Sequence, residues 1–214
     1  MTPSRSELIL GGQKSGKSRR AELLARDWLA ANPAHRASLI ATATYQPTQP
    51  TDQRDDDGMH QRILRHQRDR AERVPGLLTL EEPLQLADVI AQYSQPHTLL
   101  VVDCLTLWLT NWLMPAPYLV PRLQTLLPGW EEKTAAEHME QSGVAIKLIA
   151  SIQTAPGPVV LVGNEIGLGV IPLGREVRAF VDALGSLNQQ VAAACERVTL
   201  MAAGLPLTLK GSAA

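Results

Sequence analysis

Short apolar runs, separated by polar stretches and by glycine and proline, organise this chain of 214 residues. Glu7–Leu10 is the first run and predicts a strand. From Lys17 to about Ala30 the apolar positions Ala21, Leu24, Ala25, Trp28 and Leu29 recur at helical spacing, which predicts a helix with one buried stripe. Asn32-Pro33 marks its end, because proline interrupts the hydrogen-bond ladder and restricts the residue before it. Ala37–Ala41 reads as a second strand and Thr98–Val102, running into Asp103, as a third. Pro158–Val162, running into Gly163-Asn164-Glu165, reads as a fourth, and Val198–Ala202 as the last. The third and fourth runs are β-branched or leucine-rich with little alternation, the pattern of strands covered on both faces. Helices are expected over Thr106–Leu113, over roughly Leu123–Ile152 with a break at Gly143, and near Gly174–Cys195. Connections of this length permit right-handed crossovers, so the expected fold class is α/β with a mainly parallel central sheet flanked by helices.

The turn between the first strand and the first helix is chemically specific. Gly11-Gly12-Gln13-Lys14-Ser15-Gly16-Lys17-Ser18 is a G-x-x-x-x-G-K-S phosphate loop in the strand-to-helix setting its mechanism needs. Backbone N–H groups of such a loop cradle phosphate oxygens at a helix N-terminus. Lys17 is assigned to the β- and γ-phosphates, Ser18 to Mg²⁺, and Gly11 and Gly16 to close backbone approach. Lys14 either adds positive field over the phosphates or solvates the loop. Asp103, at the carboxyl end of its strand, suits a second Mg²⁺ ligand held directly or through water, with a helix N-cap as the plainer alternative. The expected architecture is thus a P-loop nucleotide-binding fold.

Composition narrows the class further. A formal charge of −1 gives no basic surface for nucleic acid, and 45% apolar residues suffice for one substantial core, so a single domain over residues 1–214 is expected. Cys104 and Cys195 sit in apolar surroundings without metal-ligand spacing, which fits a reduced, cytoplasmic chain and makes Cys104 a packed small side chain rather than a nucleophile. No apolar stretch approaches membrane-spanning length, so no membrane anchor is expected.

A helical insertion at about residues 55–73 departs from this near-neutral average. Residues 62–73 carry five arginines against two acids, and Arg62, His66 and Arg70 recur every four residues on one helical face. Arginine forks there could neutralise charge during phosphoryl or nucleotidyl transfer, while imidazole can serve as a covalent nucleophile near neutral pH. The same spacing also describes a solvated amphipathic helix with Ile63 turned inward, and composition by itself favours that plainer reading.

Taken together, these blocks resemble the bifunctional adenosylcobinamide kinase / adenosylcobinamide-phosphate guanylyltransferase family. The likeness runs from Leu8 to Lys210. It is carried by Gly11 to Arg19, by Ile40-Ala41-Thr42-Ala43, by Met59 to Arg70, and by Val102 to Asn111. Asn164 to Pro172, Leu187-Asn188-Gln189 and Ala202 to Lys210 complete it. The resemblance implies a homotrimer that phosphorylates adenosylcobinamide with ATP or GTP and then transfers GMP from GTP to adenosylcobinamide phosphate through a guanylylated histidine. By motif alignment that nucleophile falls on His66, with Arg62 and Arg70 beside it. The nucleotide-contacting turn falls on Thr42, Ala43 and Thr44, the guanine nucleotide segment on Gln67, Arg68, Asp69 and Arg70, and a further guanine or ribose contact on Glu81, with Glu82 one residue away. Asn164-Glu165 and the glycines after it either shape a corrinoid cleft or form a structural turn.

Three departures from the family pattern stand out. Gln13-Lys14 occupies loop positions where Ala/Thr-Arg is usual, which keeps the charge but loses the planar guanidinium fork. The Tyr45–Asp57 stretch is longer and rich in proline and aspartate, and Gly58 stands where a glutamate is common. An Arg73-Val74-Pro75-Gly76 insertion precedes Glu81.

Overall fold

The computed structural model describes residues 4–43, 68–130, 134–169 and 172–212. Seven strands form one sheet: β1 (Ser6–Gly11), β2 (Arg36–Ala41), β3 (Leu77–Glu81), β4 (Thr98–Asp103), β5 (Val159–Val162), β6 (Arg197–Ala202) and β7 (Leu205–Lys210). Their spatial order is β3-β2-β4-β5-β1-β6-β7, parallel throughout except for β7. The helices are α1 (Lys17–Ala31), α2 (Leu86–Tyr93), α3 (Leu105–Leu113), α4 (Val120–Leu126), α5 (Ala135–Ser142), α6 (Val144–Thr154) and α7 (Arg175–Ala194), and residues 68–73 are also helical.

Alternation inside the apolar runs divides the core into two layers. Leu8, Leu100, Val102, Val159 and Leu161 face a cluster built with α2, α3, α4, α6 and α7, including the buried Trp108 and Trp112. Ile9, Leu39, Leu99, Val101, Val160 and Val162 face the other way, against Ala21, Leu24 and Ala25 of α1. Because both faces are covered, the central strands are nearly continuous apolar runs, with the buried Glu7 of β1, paired with Arg20 and Arg197, as an exception. Trp28 and Leu29 are only partly buried at the border of this second layer.

The structure corrects the sequence reading at three places. β3 joins the sheet edge beside β2, and its Leu78, Thr79 and Glu81 are exposed, so it lacks the apolar continuity that betrays a buried strand. Val198–Ala202 is not the last strand. β7 follows it through the tight turn Ala203-Gly204, whose φ angles of 50° and 81° are the positive pair a two-residue hairpin demands. The helical stretch expected over roughly Leu123–Ile152 does break at Gly143, which adopts φ 61° between α5 and α6, but it is also interrupted after Leu126, so it is three helices.

Parallel register brings the business ends together. Ala41 pairs with both Glu81 and Asp103, Asp103 with Val162, and Gly11 with Met201, so these termini share one edge of the sheet. In that edge β5 separates the strand of the phosphate loop from the strand of Asp103.

Candidate active site

β1 delivers the chain into the phosphate loop at Gly11, whose φ is 151°. A Cβ there would lie 2.5 Å from the Met201 carbonyl oxygen and 2.6 Å from Ser15 Oγ, so only glycine fits. Gly12, Gln13 and Lys14 form an exposed crest, with Lys14 in the left-handed region at φ 56°. Gly16, at φ 99°, leads into α1. No side chain caps the start of that helix and its first turn holds no acid, which leaves its N–H groups directed at the loop.

The β6–β7 hairpin props this loop from the side. The Gly204 N–H donates to the Ser15 carbonyl at 3.0 Å, and a Cβ on Gly16 would come within 3.3 Å of Gly204 Cα. Met201 and Gly204 are thus supports that sequence reasoning gave no role, and Gly204 within the turn is the single local hint of the hairpin.

Lys17 Nζ folds onto the Gly12 carbonyl oxygen at 2.6 Å. Burial lowers the pKa of this amine, opposed by the negative charge of Cys104 when ionised and of Asp103. Ser15 Oγ is buried without a hydrogen-bond partner among the described residues. Among the described residues, a buried hydroxyl without a partner, an uncapped helix N-terminus and a lysine bonded to a loop carbonyl fit a polyphosphate that would replace those contacts. The half-buried Ser18 and Asp103 are oxygen donors of the type Mg²⁺ prefers.

Asp103 is fixed by its neighbours. The Thr42 hydroxyl accepts from Cys104 N–H at 2.8 Å and donates to the Cys104 carbonyl at 2.9 Å, while Thr42 N–H donates to the Asp103 carbonyl at 3.1 Å. Asn111 Nδ2 donates to the Thr42 carbonyl at 2.9 Å. Thr42 is fully buried, and its hydroxyl and N–H hold Cys104 and Asp103 while its carbonyl is tied to Asn111. The Cys104 thiol, pushed up to about 11 chiefly by burial and then by Asp103, accepts from Leu107 N–H at 3.5 Å at the start of α3. The adjoining turn after β5 is clamped as tightly: Thr106 Oγ1 accepts from Asn164 N–H at 2.8 Å, and Glu165 N–H donates to the Gly11 carbonyl at 3.1 Å.

The arginine-rich segment enters the structure at its carboxyl end. His66, Arg62, Gln67 and Thr44 lie outside the described residues, as do Tyr45–Asp57 and most of the histidine-bearing insertion. Arg68 is exposed, and Asp69 pairs with Arg73 at 3.4 Å. Arg70 is buried, its Nε 3.6 Å from Glu22 on α1 and its Nη1 3.5 Å from Thr79 on β3. Arg73 also pairs with Glu22. Glu82 accepts the N–H groups of Leu84 and Gln85, each at 2.8 Å, and pairs with Arg122 at 2.5 Å. Its carboxylate is engaged in starting α2, whereas Glu81 stays exposed at the sheet edge beside Ala41.

A phosphate loop at the carboxyl edge of a parallel sheet, with an acid two strands away, defines a P-loop nucleotide-binding enzyme. A protein of Pyrococcus horikoshii OT3, solved in a structural study, shares this fold with a TM-score of 0.50 at 8% identity, covering 100% of this chain and 89% of its own. Residues 7–209 match the family described as cobinamide kinase / cobinamide phosphate guanyltransferase, and the chain belongs to that family. It is 40% identical over 205 residues to the bifunctional adenosylcobalamin biosynthesis protein CobP of Pseudomonas aeruginosa, covering 96% of this chain and 97% of the relative. It is 32% identical over 203 residues to the protein of the same bifunctional description, CobU, of Escherichia coli, with 95% and 98% covered.

Proposed function

We propose that this protein phosphorylates the aminopropanol hydroxyl of adenosylcobinamide at the phosphate loop, and then passes GMP from GTP to adenosylcobinamide phosphate through His66. The observation that carries the kinase reading is a buried Ser15 hydroxyl, without a hydrogen-bond partner among the described residues, at the sheet edge that also carries Lys17, Ser18 and Asp103. Loop N–H groups and Lys17 hold the triphosphate in line with the acceptor hydroxyl. The hydroxyl oxygen bonds to the γ-phosphorus and gives up its proton to solvent as the bridging bond to the β-phosphate breaks and the nucleoside diphosphate leaves. Ser18 and Asp103 would hold Mg²⁺, which neutralises charge on the β- and γ-oxygens when bound.

The guanylyl step needs a different geometry. Neutral His66 attacks the α-phosphorus of GTP and pyrophosphate leaves, giving a phosphoramidate. A phosphate oxygen of adenosylcobinamide phosphate then attacks the same phosphorus, the P–N bond breaks, and His66 is restored. Arg62 is the arginine assigned to the developing charge. Arg70, paired with Glu22, acts there only if that pair opens. Thr44, Gln67 and Glu81 are assigned to the nucleotide. The family resemblance assigns a cytoplasmic homotrimer, and the exposed Leu205 and Leu207 of edge strand β7 offer apolar surface for a contact between copies. Among the described residues no helix is long and apolar enough to cross a membrane.

The test uses GTP labelled at its α-phosphate. Native protein should acquire acid-labile label on His66, and His66→Ala should lose that adduct and GMP transfer while still phosphorylating adenosylcobinamide. Full GMP transfer by His66→Ala would refute the relay.

A further inference from the structure

On the α7 side of the sheet an open groove of about 930 Å³ runs from the carboxyl ends of β1 and β5 to the β6–β7 edge. Leu10, Val198 and Leu209 contribute apolar surface to it, and Ile166 and Leu168 of the turn after β5 form one wall. The opposite wall is a single face of α7, where Arg178, Val181, Gly185, Asn188 and Ala192 follow one another at steps of three and four.

Gly185 is the informative member. It stands in the middle of a 20-residue helix, where glycine is about 1 kcal/mol worse than alanine. A Cβ added to it would meet nothing within 4 Å, and its φ lies outside the left-handed range. Nothing within the described protein therefore requires glycine at this turn. A bare stretch of helix backbone facing an apolar groove suits something that must lie flat and close against it.

The charges of the groove indicate what kind of molecule that is. Arg178 and Lys210 are balanced by Asp182 and Glu165, and Lys210 Nζ is already held by the carbonyls of Ala192 and Ala193, each at 2.9 Å. This is no polyphosphate site. It offers apolar surface with amides and hydroxyls, Ser186, Asn188 and Gln189, along the helix. A corrin macrocycle has the matching chemistry: a broad ring face with carboxamides around its rim. The groove also adjoins the phosphate loop, because Glu165 lines it while donating its N–H to the Gly11 carbonyl.

We infer that this groove seats the macrocycle of the corrinoid acceptor, with its aminopropanol arm running past Glu165 to the phosphate loop. The inference rests on the cobinamide kinase reading. Gly185→Ala and Gly185→Leu test it, with adenosylcobinamide as the kinase substrate and dicyanocobinamide as the probe in calorimetric titration. Gly185→Ala should raise the Tm yet weaken dicyanocobinamide binding. Gly185→Leu should raise the KM for adenosylcobinamide about tenfold or more, equivalent to 1.4 kcal/mol, while labelling by GTP in the absence of corrinoid stays at the native level. Unchanged corrinoid KM and Kd in both variants overturn the assignment. A changed sedimentation coefficient with unchanged KM also overturns it, giving the groove to a second copy of the chain. Failure of the native protein to phosphorylate adenosylcobinamide refutes the kinase reading instead, independently of Gly185.

Discussion

Replacing Thr42 by valine removes one oxygen while nearly keeping the side chain's shape, and the consequence can be worked through atom by atom. The Cys104 carbonyl loses the Thr42 hydroxyl but keeps the Trp108 N–H at 3.1 Å. The Cys104 N–H loses its acceptor at 2.8 Å, and with Thr42 fully buried water has no ready path to replace it. An unsatisfied buried donor costs about 1–3 kcal/mol, so Thr42→Val should lose about 2 kcal/mol of stability. With a urea m-value of roughly 2 kcal/mol/M, the unfolding midpoint falls by about 1 M. Thr42→Ser keeps the hydroxyl and gives up one buried methyl, a loss of about 1 kcal/mol. Because Cys104 directly follows Asp103, Thr42→Val should also lower kcat of the kinase step more than Thr42→Ser does. Urea denaturation followed by circular dichroism, with kinase kinetics on both variants, decides the matter. A Thr42→Val protein as stable as native, or a serine variant as damaged as the valine one, would refute this account of the clamp.

Two further outcomes follow from the titratable groups. Folding lowers the Lys17 pKa, so the kcat/KM for nucleotide should fall on an alkaline limb below the ordinary lysine value of 10.5, and a limb at or above that value contradicts the loop's burial of Lys17. The same shift means that the buried charge penalises the folded state at neutral pH, a penalty relieved as pH rises through the folded-state value. With the Cys104 and Cys195 thiols pushed up to about 11 and about 12, both should resist iodoacetamide in native protein near pH ~8 and react after unfolding; rapid native alkylation of Cys104 would contradict its capping role.

What the sequence disclosed follows the range of the interactions involved. β1, β4 and β5 were legible because burial on both faces forces unbroken apolar runs, and the phosphate loop because its glycines, lysine and serine act within one turn. β3 was hidden by its exposed outer side chains. β7 was hidden by Pro206 and by a turn, Ala203-Gly204, that lacks the usual Asn-Gly signature. The Thr42–Cys104 clamp joins residues 62 apart, and Gly204 reaches Ser15 from the far end of the chain, so neither has a local pattern. The motif resemblance pointed to Thr42 and Arg70 as nucleotide-side residues. Only the packed structure reveals that Thr42 serves the Asp103 turn and that Arg70 is bound to α1.

That last contact bears on how one small sheet can serve two transfers. Glu22 lies one turn beyond Ser18 on α1, and its nearly inaccessible carboxylate receives both Arg70 and Arg73. Removing one partner of a buried pair typically costs about 3–5 kcal/mol, because the other charge is left uncompensated. Asp69 also pairs with Arg73, so the two arginines meet two carboxylates and the charges balance, while Arg70 reaches on to Thr79 in the middle of β3, the strand that ends at Glu81. The helix that begins at the phosphate loop therefore also fixes the carboxyl end of the segment that carries His66 in sequence, four residues before Arg70. A rigid anchor at that point makes α1 the element that joins the phosphate loop, at its N-terminus, to the carboxyl end of the arginine-rich segment, one turn further along.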